Sequence, residues 1–266
     1  MLFISFIALS NSFIEDIARH ESQNMTAIGI VGSKGRMGQA LFAAINEAGH
    51  SHAGGVDQGE DISALVNASD VLVDFSSPTA LQATLDACVA ANTPIVVGTT
   101  GLDESHHAAI DNAATYIPIV QTGNTSLGVN MLAALVEQAA SKLGDDWDIE
   151  IVEMHHRHKV DAPSGTAKLL GEAAASGRNI DLATNRESGR DGISPARAKG
   201  AIGFAALRGG SVAGDHTVIL ASDEERIELT HRAENRMIFA RGSMKAAGWL
   251  VAQDPGRYDM KDVLKL

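Results

Sequence analysis

Three histidines, an arginine and a lysine fill five consecutive positions, His155-His156-Arg157-His158-Lys159, and Val160-Asp161-Ala162-Pro163-Ser164-Gly165-Thr166 comes directly after them. Imidazoles exchange protons near neutral pH. An ammonium group stabilises and protonates developing negative charge, and Ser and Thr hydroxyls donate hydrogen bonds. The run before the cluster, residues 148–154, alternates polar and apolar side chains as a half-buried strand does. The run after it, residues 167–175, reads as a helix. A strand therefore delivers a cationic loop, and the loop delivers a helix N-terminus, whose free N–H groups bind anions. This is a receptor for a small carboxylate or phosphate with proton donors at hand. Ser164 taken alone reads first as an ordinary N-cap, but a solvated loop has no need of five cationic or titratable side chains in succession. His155 and His158 could also ligate a metal. Lys159 beside them, and no Cys nearby, argue against zinc, so no metal is expected.

A second chemical signal lies near the N-terminus. The apolar run Ala27-Ile28-Gly29-Ile30-Val31 ends in Gly32-Ser33-Lys34-Gly35-Arg36-Met37-Gly38, and a helix through Leu41, Ala44 and Ile45 comes next. Strand, glycine turn and helix form the context a dinucleotide-binding fingerprint requires, because glycines admit a pyrophosphate close to the backbone and the helix dipole favours its charge. A second strand, 52–56, ends at Asp57, where an acid binds the ribose hydroxyls of NAD. Gln58 stands next instead of an arginine, so NADH is expected to be preferred, with Lys34 and Arg36 able to tolerate NADPH.

These two signals need elements to hold them. Strands at 71–75, 95–97 and 116–120 alternate with helices at 78–91 and 103–114, which implies a parallel, doubly wound α/β sheet with ligands at its C-terminal strand ends. Gly98-Thr99-Thr100 and Thr122-Gly123-Asn124-Thr125 sit at two such ends and are expected to wall the nicotinamide site. A long apolar-striped helix after residue 130 leads to the His-rich unit, an irregular segment over 176–200, and consecutive strands near 201–208, 215–221 and 226–231. The fold class expected is α/β, a Rossmann-type parallel-sheet domain plus a second α+β domain with a mixed or antiparallel sheet. The divisions expected are 25–126 for the dinucleotide, 127–236 for substrate and oligomerisation, and 237–266 packing back on the first domain.

Composition narrows the partners. At 266 residues and a formal net charge of −12, the chain is unsuited to general binding of nucleic acid or anionic membrane. Cys88, the only cysteine, excludes an internal disulfide and fits a reducing, cytoplasmic compartment. Residues 1–24 match neither a signal peptide nor a membrane span, and Met25 directly precedes the first strand; either Met25 is the start or 1–24 is a loosely ordered extension.

The stretch 153–167 resembles the signature of the 4-hydroxy-tetrahydrodipicolinate reductase family. Gly35-Arg36-Met37-Gly38, Gly98-Thr99-Thr100-Gly101, residues 126–130 and residues 208–217 fit the same family in order. The resemblance implies hydride transfer from NADH or NADPH to a small cyclic dicarboxylate in diaminopimelate and lysine biosynthesis. It assigns His155 as proton donor or acceptor and Lys159 the other, proton-donating role, and places His156, Gly165 and Thr166 at the substrate with Ser164 beside them. It further implies a homotetramer joined through the sheets of the second domain. The chain departs from the family where Asn124-Thr125-Ser126 stands for a more usual Asn-Phe-Ser, and Thr122-Gly123 for a small apolar pair. A non-catalytic dinucleotide sensor is the alternative of a different class, but it gives no reason for a lysine beside an anion-binding helix start. A dehydrogenase of another small amino or keto acid and a metal-dependent hydrolase are further alternatives, and all three rank below the reductase.

Overall fold

The computed structural model describes residues 25–266, so the expected extension over 1–24 lies outside the described residues. Short runs of β-branched residues build the first sheet. Its strands are β1 (Ala27–Val31), β2 (Ser51–Val56), β3 (Val71–Asp74), β4 (Ile95–Val97) and β5 (Pro118–Gln121). All pair in parallel, in the order β5-β4-β3-β1-β2, and a further strand, Gly256–Tyr258, adds to β5 at the edge. Strands of a parallel sheet are apolar on both sides because both faces are covered. One face carries Ile28, Ile30, Val71, Val73, Val96 and Val120. It packs under α1 (Arg36–Glu47) and the late helix Met237–Leu250, as expected of the C-terminal segment. The other face carries Val31, Leu72, Ile95, Val97 and Ile119 under α2 (Ser63–Ala68), α3 (Pro78–Ala91) and α4 (Glu104–Ala113). Cys88 lies in this layer, where burial pushes its thiol up to about 12. The chain reverses its winding between β1 and β3, so a ligand crevice opens at their C-terminal ends.

Helix α5 (Leu127–Leu143) carries the chain to a mixed sheet. Its strands are β6 (Asp148–His155), β7 (Arg186–Ser188), β8 (Ile202–Arg208), β9 (Asp215–Ala221) and β10 (Arg226–Arg232), in the order β10-β9-β6-β8-β7. β6 runs parallel to β8 and antiparallel to β9. One face, with Ile149, Ile151, Phe204, Val218 and Leu220, is buried under α5 and α6 (Gly165–Arg178). The opposite face presents Val152, Met154, Ala205, Leu207 and Ile219, with Leu207 half exposed.

The segment expected to be irregular, 176–200, is more ordered than its glycine and arginine content suggested. Helix α6 continues to Arg178 and closes on Asn179 in the left-handed conformation. Then come a short helix α7 (Leu182–Asn185) and strand β7, which pairs with β8. Arg197 pins the approach to β8: its guanidinium donates to the Asp148 and Glu150 carboxylates, at 2.8 Å each, and to the carbonyls of Ile149 and Ala201. Order here comes from one side chain reaching back about fifty residues, which no local pattern encodes. After α8 (Met237–Leu250), the edge strand β11 (Gly256–Tyr258) and the closing helix α9 (Met260–Leu264) are likewise too short to announce themselves.

The glycine turn has no slack. A Cβ on Gly38, in the first turns of α1, would lie 2.3 Å from the Ser33 carbonyl oxygen and 2.4 Å from that of Gly32. Gly38→Ala should therefore push the turn off α1 and weaken NADH binding at least about tenfold, since a displaced backbone no longer offers its N–H groups to a pyrophosphate. A fluorescence titration checks this; unchanged affinity would show the turn to be adaptable.

Candidate active site

Alternation along β6 turns Ile149, Ile151, Glu153 and His155 toward the helices, so the last two arrive at the strand's end already buried, at 1% and 8% exposure. A carboxylate at that depth must be paired. Arg208, at the end of the neighbouring β8, meets it with a two-pronged fork: Nη1 to Oε2 at 2.8 Å and Nη2 to Oε1 at 2.9 Å. His155 Nδ1 lies 2.6 Å from Oε2, and the Ser164 amide donates to Oε1 at 3.1 Å. Burial acts to raise the Glu153 pKa, but the Arg208 fork, His155 and the Ser164 amide together hold it below the usual carboxylate range. An ionised Glu153 accepts hydrogen bonds only, so the proton shared with His155 sits on Nδ1 and Nε2 is the nitrogen left for chemistry.

Arg208 also ties down the loop. Its Nε donates to the Lys159 carbonyl at 3.3 Å and its Nη2 to the Asp161 carbonyl at 2.5 Å. Backbone bonds from His156 to Val212 and from Gly209 to His155, at 2.8 and 2.9 Å, lace the loop to residues 209–212. Lys159 Nζ stands 2.9 Å from Asp161 Oδ1, and the ammonium holds that carboxyl low against the opposing effect of burial. Partial burial, then the charges of Arg236, His155, His158 and Lys159, push His156 below the ordinary imidazole value. Arg236, the N-cap of α8, is a cation that the sequence reading did not single out.

Helix α6 starts where expected. Ser164 is its N-cap, accepting from the Ala167 amide at 3.1 Å, and Gly165 and Thr166 form its first turn. The Ser164 hydroxyl is also 3.0 Å from His216 Nε2. Burial, and the nearby charge of His155, push His216 down to about 4 although Glu153 opposes this. His216 and Arg208 lie within the 208–217 motif, yet nothing local in that motif indicates that either reaches the His-rich loop.

Across the cleft, the glycine turn and Asp57 come together as expected. The Asp57 carboxylate accepts from Ser33 Oγ at 2.7 Å and from the Lys34 amide at 3.1 Å. Lys34 Nζ pairs with Glu60 at 2.5 Å, so the charge expected to welcome a 2′-phosphate is already matched, while Arg36 is exposed. Met37, Gly98, Thr99, Thr100, Gly123, Asn124 and Thr125 line one cavity of about 350 Å³ with Phe75, Ser76 and Phe239. Thr122 lies outside it, its hydroxyl bonded to Asn124. Thr99 turns its hydroxyl inward to Asp74 at 3.1 Å. Thr125, where the usual aromatic is missing, is buried and donates to the Phe239 carbonyl at 2.7 Å; the cavity's aromatic walls come from Phe75 and Phe239 instead. Asn124 Nδ2 bridges the cleft to Thr166 Oγ1 at 3.0 Å. The cavity at the strand ends and the start of α6 are one hydrogen bond apart.

Comparison with known proteins bears on the family and the fold. Residues 26–125 match the family model described as dihydrodipicolinate reductase, N-terminus, and residues 128–264 the one described as its C-terminus. The chain is 54% identical over 251 residues to a 4-hydroxy-tetrahydrodipicolinate reductase of Zymomonas mobilis, covering 92% of this chain and 99% of that protein. It is 51% identical over 264 residues to a protein of the same name from Parvibaculum lavamentivorans, covering 88% of this chain and 96% of the relative. A dipicolinate-bound dihydrodipicolinate reductase from Paenisporosarcina shares the fold, with a TM-score of 0.68 at 19% identity over 89% of this chain and 98% of that one.

His216 gives the site a pH dependence of stability. Its folded pKa, about 4, lies below the 6.5 of a free imidazole, so the unfolded chain takes up the proton first as pH falls. This stabilisation is whole above about pH 6.5 and is lost between there and pH 4, by about 3 kcal/mol. Replacing the ring in His216→Gln should flatten the fall in unfolding free energy over that window, measured by urea titration at several pH values. Parallel curves for the two proteins would rule the assignment out.

Proposed function

The chain belongs to the dihydrodipicolinate reductase family, and from that premise we propose how its own residues carry the reaction. It reduces 4-hydroxy-tetrahydrodipicolinate to tetrahydrodipicolinate with hydride from a nicotinamide dinucleotide, a step of diaminopimelate and lysine biosynthesis. The residues present fit that cofactor. Gly38 leaves no room for a side chain beneath the turn, Asp57 stands at the end of β2, and the cavity at the strand ends is walled by Gly98, Thr100, Gly123 and Asn124. When bound, the dinucleotide supplies the hydride. The observation that carries the reading is the Asn124–Thr166 bridge, which sets the cavity against the helix start below Lys159 and His155.

Gly165 and Thr166, in the first turn of α6, receive one carboxylate through backbone N–H groups and the helix dipole, with the Ser164 hydroxyl beside them. His156 and Arg236 supply further positive charge or donors. Hydride addition to a conjugated imine leaves negative charge toward the ring nitrogen; the Lys159 ammonium stabilises and protonates it, and His155 Nε2, bare in the Nδ1–H tautomer, is the proton acceptor of the pair. An incoming carboxylate competes with Asp161 for Lys159. A non-catalytic sensor has no use for this arrangement. In NADH oxidation with substrate made in situ from pyruvate and aspartate semialdehyde by the upstream synthase, Lys159→Ala should lower kcat by about 10²- to 10⁴-fold while still binding NADH. Wild-type turnover by that variant would sink the assignment.

NADH is the preferred donor in this reading, because a 2′-phosphate would face Asp57 and Glu60 with Lys34 already paired. The wild type should show the higher kcat/KM with NADH, and Glu60→Ala, by freeing Lys34, should narrow the gap. Equal or better efficiency of the wild type with NADPH would refute it.

The open face of the second sheet supports a homotetramer. Val152, Met154, Leu207 and Ile219 form an apolar surface on β6, β8 and β9 that suits a second copy of the same face. Light scattering should give four chains, and Ile219→Glu should dissociate them; a monomeric wild type would exclude this role.

A further inference from the structure

The two proton-transfer groups proposed above come from different kinds of backbone. His155 ends a strand, and Lys159 rides a loop that forms no secondary structure. Nothing in either segment alone sets their relation, yet both are held by the same pair of side chains. Glu153 fixes the His155 ring through Nδ1 at 2.6 Å. Arg208, clamped on the same carboxylate through both prongs, holds the backbone of Lys159 and of Asp161, whose carboxylate holds the Lys159 ammonium. The Ser164 amide joins the carboxylate as well, so the start of α6 is registered to the same point. On the far side of the ring, Nε2 lies over Gly214, where an added Cβ would sit 3.0 Å away, so bare backbone keeps that nitrogen clear.

We infer that the buried Glu153–Arg208 pair is a shared positioning device, setting the tautomer and direction of His155 and the place of Lys159 together; this rests on the proton-transfer roles proposed above. Neither residue is a catalytic residue. Glu153 acts through His155, and Arg208 acts chiefly through the loop. Such supporting groups typically alter activity by one to two orders of magnitude, and more where a wrong tautomer results.

The test uses the full-length protein. Histidine-selective 15N NMR of the wild type should show His155 with its proton on Nδ1 and Nε2 bare; the opposite tautomer would overturn the proposal without any assay of turnover. In NADH oxidation, Glu153→Gln should lower kcat by about 10- to 1000-fold with KM for NADH within about twofold of the wild type. Arg208→Lys, which keeps the charge but loses the fork, guards against a Glu153 variant that fails to fold and should also lower kcat. The decisive comparison is in backgrounds. The Glu153→Gln loss should shrink when introduced into His155→Ala, and the Arg208→Lys loss should shrink in Lys159→Ala, because each acts through the missing group. Full, additive losses in both backgrounds would mark the pair as merely structural, and wild-type kcat in both single variants would remove it altogether. A wild type that fails to oxidise NADH on this substrate while retaining the Nδ1–H tautomer would count against the proposed reaction roles, not against the positioning.

Discussion

The Glu153 carboxylate is buried at the end of a strand where water cannot reach it, and it is tolerable there only because several groups converge on it. Removing one partner of such a pair typically costs about 3–5 kcal/mol, because the other charge is left unmatched. The requirement to satisfy one carboxylate therefore dictates a good deal of local geometry. The end of β8 must lie beside the end of β6, which the parallel pairing of Glu153 with Ala206 and His155 with Arg208 supplies. The loop must fold back far enough for its carbonyls to reach the same guanidinium, and α6 must begin with its first amide over the carboxylate. Electrostatic satisfaction and site geometry are here a single constraint.

A second constraint acts between the two sheets. Polar contacts cross the cleft: the Asn124–Thr166 bond at 3.0 Å and the partly exposed Lys261–Glu137 ion pair at 2.7 Å. Partly exposed pairs of this kind contribute at most about 1 kcal/mol. The heavier coupling is covalent and apolar, since α8 leaves the second sheet and buries Ala240, Met244, Ala247 and Leu250 against the first. Its start matters to chemistry as well. Arg236 at its N-cap bears on His156 while Phe239, one turn further along, walls the cavity, so one helix touches both halves of the site.

Much of this was legible in the sequence because it was written locally. The alternating run before His155, the Pro-Ser-Gly-Thr start of α6, the glycine turn and the acid at the end of β2 each encode geometry within a few residues, and the structure places each at the expected point. The parallel order of the first sheet came from strands alternating with helices, and the second sheet is mixed as consecutive strands implied. What escaped was nonlocal. Arg208 reaches Glu153 across 55 residues, His216 reaches Ser164 across 52, and Phe239, from an element more than a hundred residues away, accepts from Thr125 and lines the same cavity. Lys34 was legible as a cation but not as one already matched by Glu60, since the pair closes across a turn rather than along a helix.

The distribution of charge matches the two jobs of the cleft. The chain carries a net −12; beside the glycine turn Asp57 and Glu60 stand with Lys34, which Glu60 already pairs, and under the proposed function that local balance suits ribose hydroxyls better than an additional phosphate. At the other end Lys159, Arg208, Arg236 and a set of histidines oppose the carboxylates of Glu153 and Asp161, both already paired. Under the proposed function, a doubly charged substrate entering a strongly acidic protein meets these cations beside α6. Depressed imidazole pKa values at His156 and His216 keep that field from growing as pH falls toward neutrality, because those rings remain uncharged donors and acceptors. Under the proposed function, substrate binding rests on the fixed cations and the helix start, while the proton-transfer groups are held in place by a carboxylate set apart from the substrate.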